Sequence, residues 1–176
     1  PVALCTNTTL YLDETESENN AQDIGGSSSA ICGLDTVTVS QTEFNCSNTG
    51  DNTVTLTVTD IRGNVSTCNA TVTVVDSVAP IANCQTIDIA LDSNNVAIIT
   101  VDDIDAGSTD NCGIESRTIS QSVFDCTQTG ENTVTLTITD IHGNVSTCDA
   151  LVNVTDPIAP TAICQNTIVL LDENGE

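Results

Sequence analysis

Residues 50–68 read GDNTVTLTVTDIRGNVSTC, and residues 130–148 read GENTVTLTITDIHGNVSTC. Sixteen of the 19 positions are identical, and the two copies are 80 residues apart. In each copy, aliphatic residues alternate with threonines up to an Asp-x-x-Gly-Asn segment, after which a second alternating stretch begins. Alternation with a period of two is typical of half-buried strands, and Asp, Gly and Asn favour tight turns. Each copy therefore predicts a β-hairpin.

The cysteines repeat with the same spacing as the hairpins. Three of them return 80 residues later, and the first of each repeat recurs at steps of 79 and 80 residues. The 176 residues therefore contain two repeats, 1–78 and 79–158, followed by the opening of a third, 159–176. A unit copied this faithfully is typical of an array.

Composition and periodicity favour an all-β fold. Val, Ile, Leu and Thr dominate, Trp and Met are absent, and no helical period is sustained. Short strands at residues 4–13, 83–92 and 96–101, separated by turns and an acidic loop from the hairpins, predict a β-sandwich in each repeat. The boundaries at 76–80 and 156–160 are short and contain proline, so we expect the sandwiches to form an end-to-end array.

The cysteines are expected to form disulfides. Nine cysteines divide as four, four and one, and the absence of any Cys-x-x-Cys pair argues against a zinc site. Small domains with thin aliphatic cores usually need such staples, which indicates an oxidising, extracellular compartment.

Four cysteines in a repeat allow three pairings, which the spacing alone leaves open. Because the first and last strands of a sandwich often run side by side, we expect one bond between them and a second bond between the remaining two cysteines. The expected pairs are Cys5–Cys68, Cys32–Cys46, Cys84–Cys148 and Cys112–Cys126. Cys164 holds the first-strand position of the third repeat, and we expect it to be unpaired by truncation.

The charge of the chain restricts its partners. It has 25 acidic residues and two arginines, with no lysine and a net charge of −23. Nucleic acids and anionic membrane surfaces are therefore excluded as partners, since both require cationic contacts. The acidity favours solubility and makes divalent cations the natural counter-ions.

Two groups of carboxylates are candidate calcium ligands, because calcium takes about six to eight oxygen ligands. The first group lies in one loop of repeat 2: Asp102, Asp103, Asp105 and Asp110. The second group recurs near the repeat boundaries: Asp76, Asp156, Asp60, Asp140, Asp13 and Asp92. The alternatives are solvated surface and turn chemistry, and repeat 1 keeps only Asp23 at the loop positions.

The sequence offers little support for an enzyme. His142 is the only histidine, and the equivalent residue of repeat 1 is Arg62, which indicates a solvent-facing turn residue. No nucleophile elbow, zinc-protease motif or phosphate-binding loop is present. The Thr-x-Thr stretches raise an ice-binding alternative, but threonines are expected on the outer face of half-buried strands.

Several motifs occur in a characteristic order. They are Asp110-Asn111-Cys112-Gly113, Phe124-x-Cys126, TDIHGN at 139–144, Cys148 and Ala159-Pro160. This series resembles hyalin-type (HYR-like) repeats, which implies an immunoglobulin-like fold and an extracellular, non-catalytic role. Similar modules occur in large adhesins and surface filaments, including those of Bacteroidota. Repeat 1 departs from the pattern, because Ala30-Ile31 stands before its cysteine in place of Asp-Asn.

A Bacteroidota-like source would have a further consequence. It would make Thr36 and Ser77 candidate O-glycosylation sites.

These observations predict a structural segment of an extracellular filament or giant cell-surface adhesin. The expected partners are neighbouring repeats and other copies of the filament, with glycans or surfaces as further candidates. One alternative is a calcium-dependent module that binds glycans or surfaces, although the chain lacks an aromatic platform. A second alternative is a non-catalytic appendage of a secreted enzyme.

Overall fold

The computed structural model describes residues 1–12, 17–18, 21–168, 170 and 173. The elements of repeat 1 are β1 (Thr8–Leu12), β2 (Ser17–Glu18), α1 (Ala21–Gly25), β3 (Leu34–Val39), β4 (Glu43–Phe44), β5 (Gly50–Asp60) and β6 (Val65–Asp76). The elements of repeat 2 are β7 (Ile87–Ala90), β8 (Val96–Ile98), α2 (Val101–Ile104), β9 (Ile114–Ile119), β10 (Val123–Asp125), β11 (Gly130–Asp140) and β12 (Val145–Thr155). Single turns of 3-10 helix occupy Cys46–Asn48 and Cys126–Gln128.

Each repeat combines a four-stranded sheet with a two-stranded sheet. The larger sheet has the strand order β1-β6-β5-β3 in repeat 1 and β7-β12-β11-β9 in repeat 2, while β2 pairs with β4 and β8 with β10. The central hairpins, β5–β6 and β11–β12, are antiparallel. The first strand of each repeat runs parallel to its last strand, β1 beside β6 and β7 beside β12. Buried apolar residues form one cluster in each repeat. The fold is therefore all-β, with immunoglobulin-like β-sandwiches, as the sequence predicts.

The central hairpins follow the alternation in the sequence. On β5, Val54, Leu56 and Val58 are fully buried, whereas the threonines between them are partly exposed. Gly63 has a φ of +84° in the turn after β5, a conformation that residues with side chains rarely adopt. β11 and β12 pair in the same register as β5 and β6, which confirms the predicted hairpin in both copies.

The segment predicted as an acidic loop begins as a helix. α2 occupies Val101–Ile104, and Ile104 is fully buried in the core of repeat 2. Ile24 on α1 is buried in the same way in repeat 1. Helices of four or five residues are too short to produce a recognisable period in the sequence. None of the helices in the described ranges is long and apolar enough to cross a membrane.

The long strands separate two ends of each repeat. The amino-terminal face is the end that carries the Asp-x-x-Gly-Asn turn, and the carboxy-terminal face is the end that carries the 3-10 turn. In repeat 2, Ile114 pairs with Asp140, which places Cys112 on the amino-terminal face. Cys126 lies just before β11 begins at Gly130 and is therefore on the carboxy-terminal face.

Candidate functional site

The two repeats meet at Asp76, the last residue of β6. Its side chain is fully buried, and Oδ2 lies 3.0 Å from His142 Nδ1. Oδ1 accepts hydrogen bonds from Val78 N at 3.2 Å and from Asn111 Nδ2 at 3.4 Å. Asn144 Nδ2 donates to the Asp76 carbonyl oxygen at 3.3 Å. These contacts hold the end of repeat 1 against the amino-terminal face of repeat 2.

The turn at residues 140–144 presents two of these partners. Asp140 Oδ1 accepts hydrogen bonds from the backbone N–H groups of His142 and Asn144, each at 2.8 Å, and Oδ2 accepts one from Asn144 Nδ2 at 2.7 Å. Burial opposes ionisation of Asp140, but these hydrogen bonds outweigh it and lower the pKa of the carboxyl. Asp60 holds the turn of repeat 1 through the same three kinds of hydrogen bond. The turn is therefore a scaffold that both repeats share.

His142 is exposed as a residue, as expected for a turn tip, but its ring also bridges the two repeats, which the sequence did not predict. Its side chain is 21% exposed, and Nε2 lies 3.0 Å from Thr49 Oγ1 on repeat 1. A ring protonated on Nδ1 donates to the Asp76 carboxylate and accepts from the threonine hydroxyl. The signal for this role was its place at the tip of a hairpin, which in a tightly joined array faces the neighbouring repeat.

Three carboxylates from separate segments converge at the joint. One oxygen each of Asp76, Asp110 and Asp140 lies within 4.8 Å of the others. Asp110 Oδ2 accepts hydrogen bonds from the N–H groups of Cys112 and Gly113, both at 2.8 Å. Asp110 Oδ1 is buried and has no hydrogen-bond partner among the described residues, an arrangement that is unfavourable unless a cation is close. This all-oxygen group therefore fits a hard divalent cation such as calcium.

A second group at the joint has ligand-like spacing but unsuitable chemistry. It consists of Asp76, Cys112 and His142. A cysteine binds metals as a thiolate, whereas the Cys112 sulfur is bonded to another cysteine. This group is therefore not a candidate for zinc or another soft metal.

A disulfide closes the joint between the two repeats. It joins Cys46 of repeat 1 to Cys112 of repeat 2, with a Cα–Cα distance of 5.2 Å. The pairs Cys32–Cys46 and Cys112–Cys126 expected from the sequence are therefore wrong. The two remaining cysteines of each repeat do not bond to each other. Instead, one cysteine from each repeat forms the bond between the repeats.

The physical reason lies in the length of the sandwich. Cys112 is close to the end of β11, and Cys126 is close to its start. β11 has 11 residues, and at about 3.3 Å per residue its two ends are roughly 33 Å apart. A disulfide requires Cα atoms within about 7 Å of each other. A bond between these two faces within one repeat is therefore impossible.

The other two disulfides lie within the repeats. Cys5–Cys68 and Cys84–Cys148 each have a Cα–Cα distance of 5.9 Å. They join the segments that lead into the parallel pair of first and last strands, and they are the pairs expected from strand adjacency. Over the part of the chain that the structure describes, the free cysteines are Cys32, Cys126 and Cys164, and all three are exposed.

Three carboxylates of the predicted calcium loop serve the fold of repeat 2 instead. Asp103 Oδ2 accepts two hydrogen bonds from Thr100 and caps α2. Asp102 and Asp105 pair with Arg117 at 3.1 and 2.8 Å. Burial opposes ionisation of Asp105, but Arg117 and neighbouring hydrogen bonds lower its pKa to about 2. These three residues therefore have partners of their own, and Asp110 alone of this group reaches the joint.

The remaining boundary carboxylates are separate from the joint cluster. Asp60 holds its own turn, and Asp92 accepts backbone hydrogen bonds in the turn between β7 and β8. Asp156 is exposed and accepts a hydrogen bond from Ile158 N at 2.9 Å. Asp13 lies outside the described residues.

The two candidate glycosylation sites are on the surface. Thr36 lies on β3, Ser77 follows β6, and both are exposed. Their modification stays a prediction.

Comparison with known proteins reveals distant structural likenesses. No protein-family model and no curated protein matches the chain. A solved structure of human mucin-like protocadherin EC1-2 is 14% identical, with a TM-score of 0.41, and the match covers 88% of this chain and 98% of that one.

Two further structures are similarly distant. Extracellular cadherin domains 1–4 of protocadherin gamma B7 are 10% identical, with a TM-score of 0.38 and coverage of 86% of this chain; the match spans half of that chain, 50%. The fibronectin(III)-like modules of Clostridium thermocellum CbhA are 9% identical, with a TM-score of 0.33 and coverage of 92% and 96%. These likenesses do not assign the chain to a family.

Proposed function

We propose that this chain is a segment of an extracellular filament or giant cell-surface adhesin, in which repeats are stacked end to end as a non-catalytic stalk. The observation that carries the proposal is the joint. The Cys46–Cys112 bond and the hydrogen bonds around Asp76 tie the carboxy-terminal face of one repeat to the amino-terminal face of the next. Two binding modules joined by a flexible linker would not require a disulfide between them.

The connecting segment supports a stacked arrangement. Only three residues separate Asp76 from Pro80, so the chain between them spans at most about 14 Å. Pro80 is buried, and its ring restricts the backbone. The short linker therefore keeps the two repeats close together, which supports a stacked arrangement.

The chemistry of the chain supports an extracellular location. The described residues form three disulfides, and such bonds persist in oxidising compartments. A net charge of −23 keeps a long polymer soluble through mutual repulsion. The resemblance of the motifs to hyalin-type repeats agrees with this location.

The absence of a catalytic role is part of the proposal. Both ring nitrogens of His142, the only histidine, contact residues of the joint. The position has Arg62 in repeat 1, where no base would be available. The histidine is accordingly interpreted as a structural contact.

We also propose that calcium binds at the joint, through Asp76, Asp110 and Asp140. Three carboxylates so close together repel one another, and a divalent cation would turn that repulsion into attraction. Because the ligands come from both repeats, an ion held there would stiffen the joint. Repeat 1 has Ala30 at the position of Asp110, so this site belongs to joints whose second repeat carries the Asp-Asn pair.

The stalk proposal is tested by the relative orientation of the two repeats. Residual dipolar couplings of the isotope-labelled chain should fit one common alignment for both hairpins. Replacing Cys46 and Cys112 by serine should give two unequal alignments, whereas the matched variant with Cys32 and Cys126 replaced should behave like the unaltered chain. Independent alignment of the repeats in the unaltered chain would contradict a stacked stalk.

The calcium proposal is tested by thermal unfolding with calcium chloride and with a chelator. An ion at 100 times its dissociation constant stabilises by about 2.7 kcal/mol, so the midpoint should rise. Asp110→Asn keeps an oxygen for the hydrogen bonds from Cys112 and Gly113 and removes the charge, and it should abolish the response. Asp103→Asn is the matched control and should retain it. An unchanged midpoint in the unaltered chain would refute calcium binding.

A further inference from the structure

Cys126 is presented in the same way as Cys46, which is bonded across the joint. Each cysteine begins a 3-10 turn, and a polar side chain just before the turn accepts a hydrogen bond from its second residue. The residue after the turn also has matching backbone angles: φ −57° and ψ 140° at Thr49, against φ −60° and ψ 136° at Thr129. The local backbone geometry that positions Cys46 for its disulfide is therefore also present at Cys126.

The rest of the carboxy-terminal face of repeat 2 also matches. Asp156 corresponds to Asp76, and both carboxylates accept a hydrogen bond from the backbone N–H two residues later. Thr129 corresponds to Thr49, which contacts His142 across the joint. The difference is burial, since the Asp76 side chain is fully buried and Asp156 is exposed. The carboxy-terminal face of repeat 2 therefore carries the same groups as the face of repeat 1 that forms the joint.

The amino-terminal face of repeat 1 carries the other half of the disulfide. Cys32 corresponds to Cys112, and each precedes a glycine with positive φ, +94° at Gly33 and +112° at Gly113. The carbonyl of each glycine accepts a hydrogen bond from the turn, from Ile61 N at 3.3 Å or from the equivalent N–H of repeat 2 at 3.1 Å. Cys32 is therefore held in the position from which its counterpart reaches a neighbouring repeat.

We propose that Cys126 and Cys32 are the two halves of further inter-repeat disulfides. Cys126 bonds the cysteine that corresponds to Cys112 in the repeat that follows, and Cys32 bonds the one that corresponds to Cys46 in a repeat that precedes. The inference rests on the proposed stacked array and extends it: every joint is covalently cross-linked outside the main chain. Each repeat thus uses two cysteines for itself and one for each neighbour.

The bond forms by two thiol–disulfide exchanges with a small-molecule disulfide such as oxidised glutathione. The Cys126 thiolate attacks one sulfur of that disulfide and releases the first thiolate. The thiolate of the neighbouring repeat then attacks the Cys126 sulfur and releases the second. The two protein thiols lose two electrons and two protons, which reduce one disulfide to two thiols. Both Cys126 and Cys32 are exposed, so both are accessible to the oxidant.

The test uses a chain in which repeat 2 occurs twice: residues 1–158 followed directly by residues 79–176. This fusion preserves the native junction Asp-Pro-Ile-Ala-Pro. In the inserted copy, Cys126 is replaced by serine so that the chain has a single Cys126. After oxidation with glutathione disulfide, thiols are alkylated in denaturant and the chain is digested with a protease specific for acidic residues.

In the unaltered 176-residue chain, Cys126 should be almost completely alkylated or glutathionylated, and its peptide should not be linked to another peptide of the chain. In the duplicated chain, the sum of alkylated and glutathionylated Cys126 should fall at least tenfold, and its peptide should be linked to that of Cys112. Replacing Cys112 of the inserted copy by serine should restore the alkylated and glutathionylated forms, which identifies the partner. A Cys126 that stays alkylated or glutathionylated in the duplicated chain, or that links to Cys164 or to a second molecule, would overturn the inference.

The same digest separates this inference from the stalk proposal. The Cys46–Cys112 peptide should be present in both chains. Its absence would remove the basis of the stalk itself. Its presence beside a free Cys126 in the duplicated chain would refute only the further cross-links.

Discussion

The amino-terminal faces of the two repeats share a scaffold and differ in what they present. In both, a buried aspartate, Asp60 or Asp140, accepts three hydrogen bonds that close the turn. The residues that the two faces expose to a neighbouring repeat differ. Repeat 2 has Asp110, Asn111 and His142, and the aligned residues of repeat 1 are Ala30, Ile31 and Arg62. The turn scaffold is therefore set by positions that both repeats keep, whereas the features that distinguish the joint lie at positions where the repeats differ.

The difference has a visible consequence on the surface. In repeat 2 the three residues approach Asp76, and two of them form hydrogen bonds with its carboxylate. In repeat 1, Ile31 is fully exposed and lines a cavity of about 400 Å³ together with Pro1, Val2 and Cys32. An array built from such repeats can keep one module and vary its joints by a few surface substitutions.

The largest expected effect comes from removing the shared scaffold. Asp140→Ala and Asp60→Ala each leave two backbone N–H groups and one amide without an acceptor. We expect each variant to lose about 2–4 kcal/mol of unfolding free energy in its own repeat. Thermal unfolding followed by NMR signals of each repeat would measure this. A large loss in only one of the two variants would show that the scaffolds are not equivalent.

A smaller effect is expected at Gly25, which is aligned with Asp105. A Cβ atom at Gly25 would clash with the Leu56 side chain in the core of repeat 1, and such overpacking costs about 1–3 kcal/mol. We expect Gly25→Ala to lower the unfolding midpoint of repeat 1 and to leave that of repeat 2 unchanged. Urea unfolding with signals from each repeat is the measurement. A stability equal to that of the unaltered chain would mean that the core yields to the added methyl group.

The next largest effect is expected from acid, which should lower the unfolding free energy of repeat 2 more than that of repeat 1. The pKa of Asp105 is lowered from 3.8 to about 2. A carboxyl with a lowered pKa in the folded state stabilises fully above about pH 4, and this contribution is lost as the pH falls towards about 2. The contribution is at most about 2.5 kcal/mol, and repeat 1 lacks it because Gly25 and Val37 occupy the positions of Asp105 and Arg117.

The measurement is the unfolding free energy of each repeat at pH 5 and pH 3. Arg117→Val introduces the residue of repeat 1 and should reduce the acid-dependent loss in repeat 2. An unchanged loss in that variant would show that other carboxyls cause it.

The smallest effect is expected from His142→Arg, which gives the joint the residue of repeat 1. An arginine can donate to the Asp76 carboxylate as the imidazole does, and partly exposed ion pairs contribute about 0–1 kcal/mol. We expect the common alignment of the two repeats to persist and to weaken at high salt. Residual dipolar couplings at low and high salt would measure this. Loss of the common alignment at low salt would show that the joint requires the bridging geometry of histidine.

The hairpins could be predicted because their information is local. Alternating residues at 53–59 and 133–139 specify both the strands and their buried faces. The bonds Cys5–Cys68 and Cys84–Cys148 followed from the adjacency of first and last strands. The joint was predicted only in part: Asp76 and Asp140 were expected in one group near the repeat boundary, whereas Asp110 was assigned to the separate loop group, because tertiary structure alone brings it to the joint. Matching cysteines within each repeat does not predict the Cys46–Cys112 bond, because the length of the sandwich keeps the cysteines on the two faces of one repeat apart.

The bond between Cys84 and Cys148 changes how a repeat would respond to tension. A pull along the array enters repeat 2 near Pro80 and leaves near Asp156, and the bond bypasses the chain between two cysteines that are 64 positions apart. Even if the sheets of this repeat were torn open, roughly 50 Å of chain would be drawn out, against roughly 270 Å without the bond. Cys5–Cys68 limits repeat 1 in the same way. A filament of such modules would act as a nearly inextensible tether rather than as an elastic one.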